Sequence, residues 1–139
     1  MSSKFVTLKL GIKNNSVDGL LIKLPTYSST AMISTKNKFA AAPVLLSRNH
    51  IRTGHVSYVF INSGNANACT GVKGFENCNK ILLLLSKRLQ CNKEDILIMS
   101  TGIIGRQLPI KKITKSIQNS DFNKYTSIKN AAIAIMTTD

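Results

Sequence analysis

Ser100-Thr101-Gly102-Ile103-Ile104-Gly105 is the stretch whose residue types best suit chemistry. It follows the apolar run Ile96-Leu97-Ile98-Met99, which reads as a buried strand. A Ser-Thr pair and two glycines then replace the apolar side chains. Glycine lets main-chain N–H groups turn into a cavity at angles that other residues resist. Donors held at a strand end stabilise negative charge as it develops on a reacting oxygen. The spacing predicts an oxyanion-binding turn, and with it acyl transfer. Glycine turns after strands are also common as plain structure, so the rest of the chain must decide.

Asn62-Ser63-Gly64-Asn65-Ala66-Asn67-Ala68-Cys69-Thr70-Gly71 is a second polar stretch. Asn side chains both donate and accept, and they fix loops by bonding to their backbone. Two readings stand: an ordinary strand-to-helix connection, or a loop lining a site at the strand's end, where open α/β sheets place ligands. Cys69 could act as a nucleophile with His50 or His55 as its base. No orienting third group stands at a recognisable spacing, and a small buried thiol is the commoner role. The two histidines read as a helix end and a turn, and their separation does not resemble a metal pair. Glu94 and Asp95 are adjacent and diverge on a helix, which suits acid–base pairing poorly. A phosphate-binding loop ending in Lys-Ser or Lys-Thr is absent.

The elements that must hold these residues follow from pattern. Val6, Leu8, Leu10 and Ile12 alternate with Thr7, Lys9 and Gly11, which predicts a strand. Asn14-Asn15 and Asp18-Gly19 give turn chemistry, and Leu20–Leu24 reads as a second strand in a hairpin with the first. Ala31–Thr35 is expected to be a third strand. Pro43 opens a short helix running from Val44 towards Ile51, closed by Thr53-Gly54. Tyr58–Ile61 is a central strand. The longest helix follows, with Val72, Phe75, Asn79, Leu82 and Leu89 on one face and Cys78 and Leu85 beside it. Ile81–Leu85 is apolar all round, so cover on more than one side is expected. Asn92 caps a short turn before the strand Ile96–Met99. Pro109 starts a helix carrying Ile110, Ile113 and Ile117. Tyr125, Ile128, Ala132 and Ile135 form a last amphipathic face.

At 139 residues with 43% hydrophobic content, residues 1–139 fit one domain with a real core. The apolar runs are too short for a membrane span, and no secretory signal pattern opens the chain. Cys69, Cys78 and Cys91 are odd in number and show no C-x-x-C spacing, which favours free thiols in a reducing compartment. The net charge of +13 raises the possibility of nucleic acid. Its lysines are scattered and its few aromatics are not interleaved with them, so no stacking platform is expected. Abundant Lys, Asn and Ile fit an AT-rich genome, and the charge could still steer anionic substrates.

Several of these motifs add up. Gly11-Ile12-Lys13, Ala41-Ala42-Pro43-Val44 with Ser47-Arg48, the ten-residue Asn-rich stretch, Ser100–Gly105, Leu108-Pro109 and Ala134-Ile135-Met136-Thr137-Thr138-Asp139 run in one order along nearly the whole chain. In that order the chain resembles the N-terminal part of the bifunctional ornithine acetyltransferase/N-acetylglutamate synthase family of arginine biosynthesis. The resemblance implies an α/β fold, a mixed sheet packed against helices. It implies a precursor that cuts itself before a threonine, which then carries acetyl from N-acetylornithine to glutamate. By motif, Thr101 through its side chain and Gly102 through its N–H would form the oxyanion hole. Thr137, or its neighbour Thr138, would contact substrate. No cofactor is implied, although acetyl-CoA is a substrate wherever the synthase activity is kept. A cytoplasmic oligomer is implied, without nucleic acid or membrane.

The chain departs from that pattern. Thr35-Lys36-Asn37 carries Lys where the family usually has Thr, and Lys-Leu replaces the glycine-rich entry before Gly11. Family members continue past this Thr-Thr-Asp to a Lys-Gly loop, the nucleophilic Thr and a second chain. The expectation is therefore an incomplete domain: a fragment, one product of a split gene, or a relic, partnered by the missing C-terminal chain where that is encoded separately. A non-catalytic binding or assembly module is the competing reading.

Overall fold

The computed structural model describes residues 2–26 and 28–137. Four strands form one mixed sheet: β1 (Lys4–Leu8), β2 (Gly19–Lys23), β3 (Tyr58–Asn65) and β4 (Ile96–Ile103), in that spatial order. β1 pairs antiparallel with β2, and β2 with β3, whereas β3 and β4 run parallel. A parallel pair needs a long crossover. Here that crossover is α2 (Gly71–Leu89). The remaining helices are α1 (Ala42–His50), α3 (Ile110–Asn119) and α4 (Ile128–Ile135).

Side chains alternate across a strand, so each strand serves two layers. Val6, Leu8, Leu21, Phe60, Ile96 and Ile98 turn to one face and meet α1, α2 and α3 through Leu46, Cys78, Ile81, Leu82, Leu85, Ile113 and Ile117. Leu20 turns to the other face, where Phe5, Ile22 and Ile61 join Ala131 and Ala134 of α4. The expected mixed sheet packed against helices is the observed architecture. None of the described helices is long and apolar enough to cross a membrane.

Several expectations need correction. Ala31–Thr35 is not a strand, and Ile33 stands fully in solvent. Its alternation is real, but a strand also needs a partner edge. The outer edge of β1 is partly taken by Thr126, whose N–H donates to the Phe5 carbonyl at 2.8 Å. β1 ends at Leu8 rather than Ile12, and Gly19 opens β2 instead of sitting in the turn. A Cβ at Gly19 would lie 2.6 Å from Leu10 Cδ1, so only glycine lets the two segments close.

The helix faces also differ from expectation. α2 buries Gly74, Asn77, Cys78, Ile81, Leu82 and Leu85, while Val72 is 77% exposed and Leu83 half exposed. α2 nevertheless meets α1, α3 and β4, and of Ile81–Leu85 only Leu83 is exposed, so cover on more than one side is found. α4 buries Ala131 and Ala134 and leaves Ile128 and Ala132 outside. Small residues let the helix approach the sheet closely, and of the expected face Ile135 packs beside them.

Helix and turn boundaries fare better. Pro43 lies in the first turn of α1, and Gly54 with φ +74° ends the 3-10 turn that follows it. Asn92 and Asp95 make a reciprocal cap ahead of β4. Pro109 precedes α3.

Candidate functional site

The glycine stretch is not a turn from Ser100 onward. β4 continues through Ile103, and Asn62-Ser63-Gly64-Asn65 is the matching end of β3. The two polar stretches pair with each other in register: Asn62 opposite Ser100, Ser63 opposite Thr101, Gly64 opposite Gly102. Each would be a poor strand end alone, which is why the pattern reads as loop. Gly64 has φ +94° and Gly102 φ +128°. A Cβ on Gly102 would lie 2.4 Å from the Gly64 carbonyl carbon, so the backbones touch there.

Side-chain amides hold this end rigid. The Ser100 hydroxyl donates to Asn62 Oδ1 at 2.6 Å, and Asn62 Nδ2 donates to the Asn65 carbonyl at 2.8 Å. Asn65 Oδ1 accepts from the Asn67 N–H, while its Nδ2 reaches the carbonyls of Arg106 and Gln107. Gln107 Nε2 donates to the Thr70 carbonyl at 2.9 Å, and the Gly105 N–H to the Ala68 carbonyl at 2.8 Å. The Asn-rich stretch thus braces the segment that follows β4.

The direction of the main-chain donors follows from the parallel ladder. Alternate residues of a strand aim both N–H and C=O to the same side. The Asp95 and Ile103 carbonyls accept from Ser57 and Ala66, on the β3 side. The Ile96 carbonyl is met by His50 Nδ1 at 2.8 Å, and Ile98 by the Ser47 hydroxyl through both its N–H and its C=O. Odd residues of β4 therefore face β3, and even residues face the outer edge. α1 seals that edge at Ile96 and Ile98. Beyond that sealed stretch Gly102 is exposed, and its φ of +128° departs from the regular alternation.

Thr101 shares a face with Ser63, whose hydroxyl donates to the Ala134 carbonyl at 2.7 Å. The Thr101 side chain is thus on the α4 side of the sheet. Thr101 and Thr137 are both half-buried. The structure brings Thr101, Gly102, the Asn-rich strand end and the C-terminal end of α4 to one surface corner. Thr138 lies outside the described residues.

Cys69 and the histidines are not brought together. Cys69 is exposed, not the buried thiol expected, with φ +56° beyond the end of β3. His50 and His55 are tied to Ile96 and Asp95 at the start of β4. The seven steps along β4 from Ile96 to Ile103 separate these ends by about 20 Å. Cys78 is the buried thiol; burial pushes its pKa up to about 12. Among the described residues no group of three or more Cys, His or carboxylate side chains could hold a metal.

Two residues at the corner escaped the site reading. Asp18 is fully buried, and its carboxylate accepts main-chain N–H bonds from Leu10 at 2.5 Å, Ile12 at 2.6 Å and Lys13 at 2.8 Å. Its own carbonyl accepts from Ser63 at 2.9 Å. Lys13 Nζ donates to the Met136 carbonyl. The motif Gly11-Ile12-Lys13 was the available signal; Asp18 read only as turn chemistry.

Known proteins match along the same span. The bifunctional arginine biosynthesis protein ArgJ of Caldanaerobacter subterraneus is 38% identical over 130 residues, covering 93% of this chain and 32% of its own length. The mitochondrial ArgJ protein of Dictyostelium discoideum is 44% identical, covering 91% of this chain and 29% of its own. The chain thus spans about a third of the curated relatives it matches. Among solved structures, ArgJ from Bacillus halodurans superposes with a TM-score of 0.88 at 30% identity, covering 99% of this chain and 73% of that one. Ornithine acetyltransferase from Mycobacterium tuberculosis, complexed with ornithine, gives 0.85 at 30% identity, covering 99% and 77%. The ArgJ family model matches residues 4–139, and the chain belongs to the ArgJ family.

Proposed function

We propose that this chain supplies the oxyanion-binding half of an acetyl-transfer site, moving acetyl from N-acetylornithine to glutamate in arginine biosynthesis. The observation that supports the reading is the exposed Gly102 beside the half-buried Thr101 at the ends of a parallel strand pair, in a chain of this family. Attack on the acetyl carbonyl converts its oxygen to an oxyanion. The Thr101 hydroxyl and Gly102 N–H are donors preplaced for that charge, and each such donor typically contributes about 3 kcal/mol to the transition state. Thr137, at the end of α4, contacts the amino-acid part of the substrate. The nucleophile belongs to the part of the fold that the longer relatives carry and these 139 residues do not.

A donor pair without an attacking group orients a carbonyl but forms no acyl-enzyme. The isolated chain should therefore bind N-acetylornithine weakly and turn nothing over. An acetyl-transfer assay with N-acetylornithine and glutamate, run beside an amide-resolved NMR titration, tests both halves. Turnover by the isolated chain, or a titration in which the Gly102 amide does not move, would mean that the chemistry lies elsewhere.

A further inference from the structure

At the end of the sheet remote from Gly102, three strands share one last row. Lys4 of β1 stands opposite Lys23 of β2, and Lys23 opposite Tyr58 of β3. Directly opposed residues share a face. Two residues inward, the row Val6, Leu21 and Phe60 belongs to the core under α2 and α3, so the last row lies on that face too. α2 ends here with Arg88 and Leu89, and the segment after α3 returns over the row. That segment is pinned at both ends. Arg88 Nη2 donates to the Ser120 carbonyl at 2.7 Å, and the Thr126 N–H to the Phe5 carbonyl at 2.8 Å.

The elements enclose a cavity of about 210 Å3. Its floor is Val6 and Leu21, both buried, and Tyr58, Phe122 and Tyr125 bring three rings to it. An apolar cavity of about 150 Å3 accepts benzene, so this one has room for a ring and one substituent. The charges that line it, Lys23 and Arg88, are both positive, and no carboxylate is among its lining residues. Two cations also back the rings: Lys4 Nζ lies 4.6 Å from the Tyr125 centroid, and Arg88 Cζ 5.5 Å from that of Phe122. Asp121, close in sequence, turns Oδ1 to the Asn123 N–H. Among the described residues no carboxylate forms an ion pair with Lys23 or Arg88. Arg88 has five N–H donors and uses one on Ser120. Burial first, then Cys91 and Tyr125, push the Tyr58 phenol above its ordinary 10.0, so it stays a donor at neutral pH. Like charges gathered beside an apolar floor repel one another, and a bound anion removes that cost.

We propose that this cavity binds a small aromatic carboxylate, its ring among Tyr58, Phe122 and Tyr125 and its carboxylate at Lys23 and Arg88. The site is separate from the candidate oxyanion corner. The six steps along β3 from Tyr58 to Gly64 set them about 20 Å apart. Binding here is therefore independent of the acetyl-transfer reading.

The test is an NMR titration of the 139-residue chain with three probes, read at the amides of Lys23, Tyr58 and Asn123. Benzoate has the ring and the charge, benzyl alcohol the ring alone, and acetate the charge alone. Benzoate should bind at least about tenfold more tightly than either of the others, the scale of one charge-assisted hydrogen bond. Lys23→Met and Arg88→Met keep an apolar stem and lose the charge. Each should weaken benzoate about tenfold and leave benzyl alcohol within about twofold of the wild-type value. Unchanged benzyl alcohol binding also shows that the cavity is still formed. Lys23→Met leaves the Arg88–Ser120 bond in place, so its result does not depend on the pinned segment. Tyr125→Ala should weaken benzoate and benzyl alcohol alike. Benzoate binding no tighter than acetate, shifts confined to residues outside the cavity, or full benzoate affinity in both Lys23→Met and Arg88→Met would overturn the proposal.

Discussion

Gly102 and Gly105 look alike in the sequence and do different things. Both have positive φ, +128° and +77°. At Gly102 an added methyl meets the Gly64 backbone at 2.4 Å, whereas at Gly105 nothing lies within 4 Å. Gly105→Ala should therefore cost only the left-handed backbone strain, about 1 kcal/mol. Gly102→Ala must move a paired strand as well, and about 3 kcal/mol or more is expected. Urea unfolding of the two variants checks the order; equal losses would mean that the Gly64–Gly102 contact is not tight. The thiols give a second residue-scale prediction. Cys69 is exposed, while burial pushes Cys78 up to about 12. A thiol reagent at pH 8 should label Cys69 at once and Cys78 only on unfolding.

β4 depends on α1 for half of its outer edge. The Ser47 hydroxyl, 2% exposed at its residue, both donates to the Ile98 carbonyl at 2.7 Å and accepts from the Ile98 N–H at 2.9 Å. One hydroxyl thus completes what a neighbouring strand would otherwise supply. Ser47→Ala leaves a buried donor and a buried acceptor unpaired, at a cost of about 2 kcal/mol. Amide exchange should rise at Ile98 above all. Exchange unchanged there would mean that the edge is protected some other way. The motif Ala41-Ala42-Pro43-Val44 with Ser47-Arg48 thereby gains a physical role: the proline starts a helix whose next turn delivers Ser47 to the strand.

At the scale of the whole chain, pH stability follows from two thiols. Burial raises Cys78 to about 12, and burial with the nearby Asp95 charge raises Cys91 to about 11, from an ordinary value of 9.0. The folded state therefore holds these protons more tightly than the unfolded state. Their contribution is complete below about pH 9 and is lost as pH rises towards 11 and then 12. Thermal midpoints should fall above pH 9, and Cys78→Ala should flatten that fall. A midpoint independent of pH from 9 to 11 would contradict the raised values of the two thiols. The charge of +13 is spread over the surface without a stacking platform, so any nucleic-acid binding should be sequence-independent and vanish steeply with salt.

The residues themselves determined the family resemblance, the mixed α/β class, the helix starts at Pro43 and Pro109, the cap at Asn92 and the oxyanion candidates Thr101 and Gly102. Each rests on local chemistry: a fixed φ, a missing N–H, a capping side chain, a conspicuous run of small and polar residues. What needed three dimensions was everything set by pairing. Ala31–Thr35 alternates like a strand yet finds no edge, while Asn62–Asn65 and Ser100–Ile103 read as loops and become strands because each completes the other. The packed faces of α2 and α4 depend on how closely each helix approaches the sheet, which periodicity does not report. Lys13 and Asp18 meet the corner only through contacts with β3 and the end of α4, far along the chain, and no local pattern encodes that meeting.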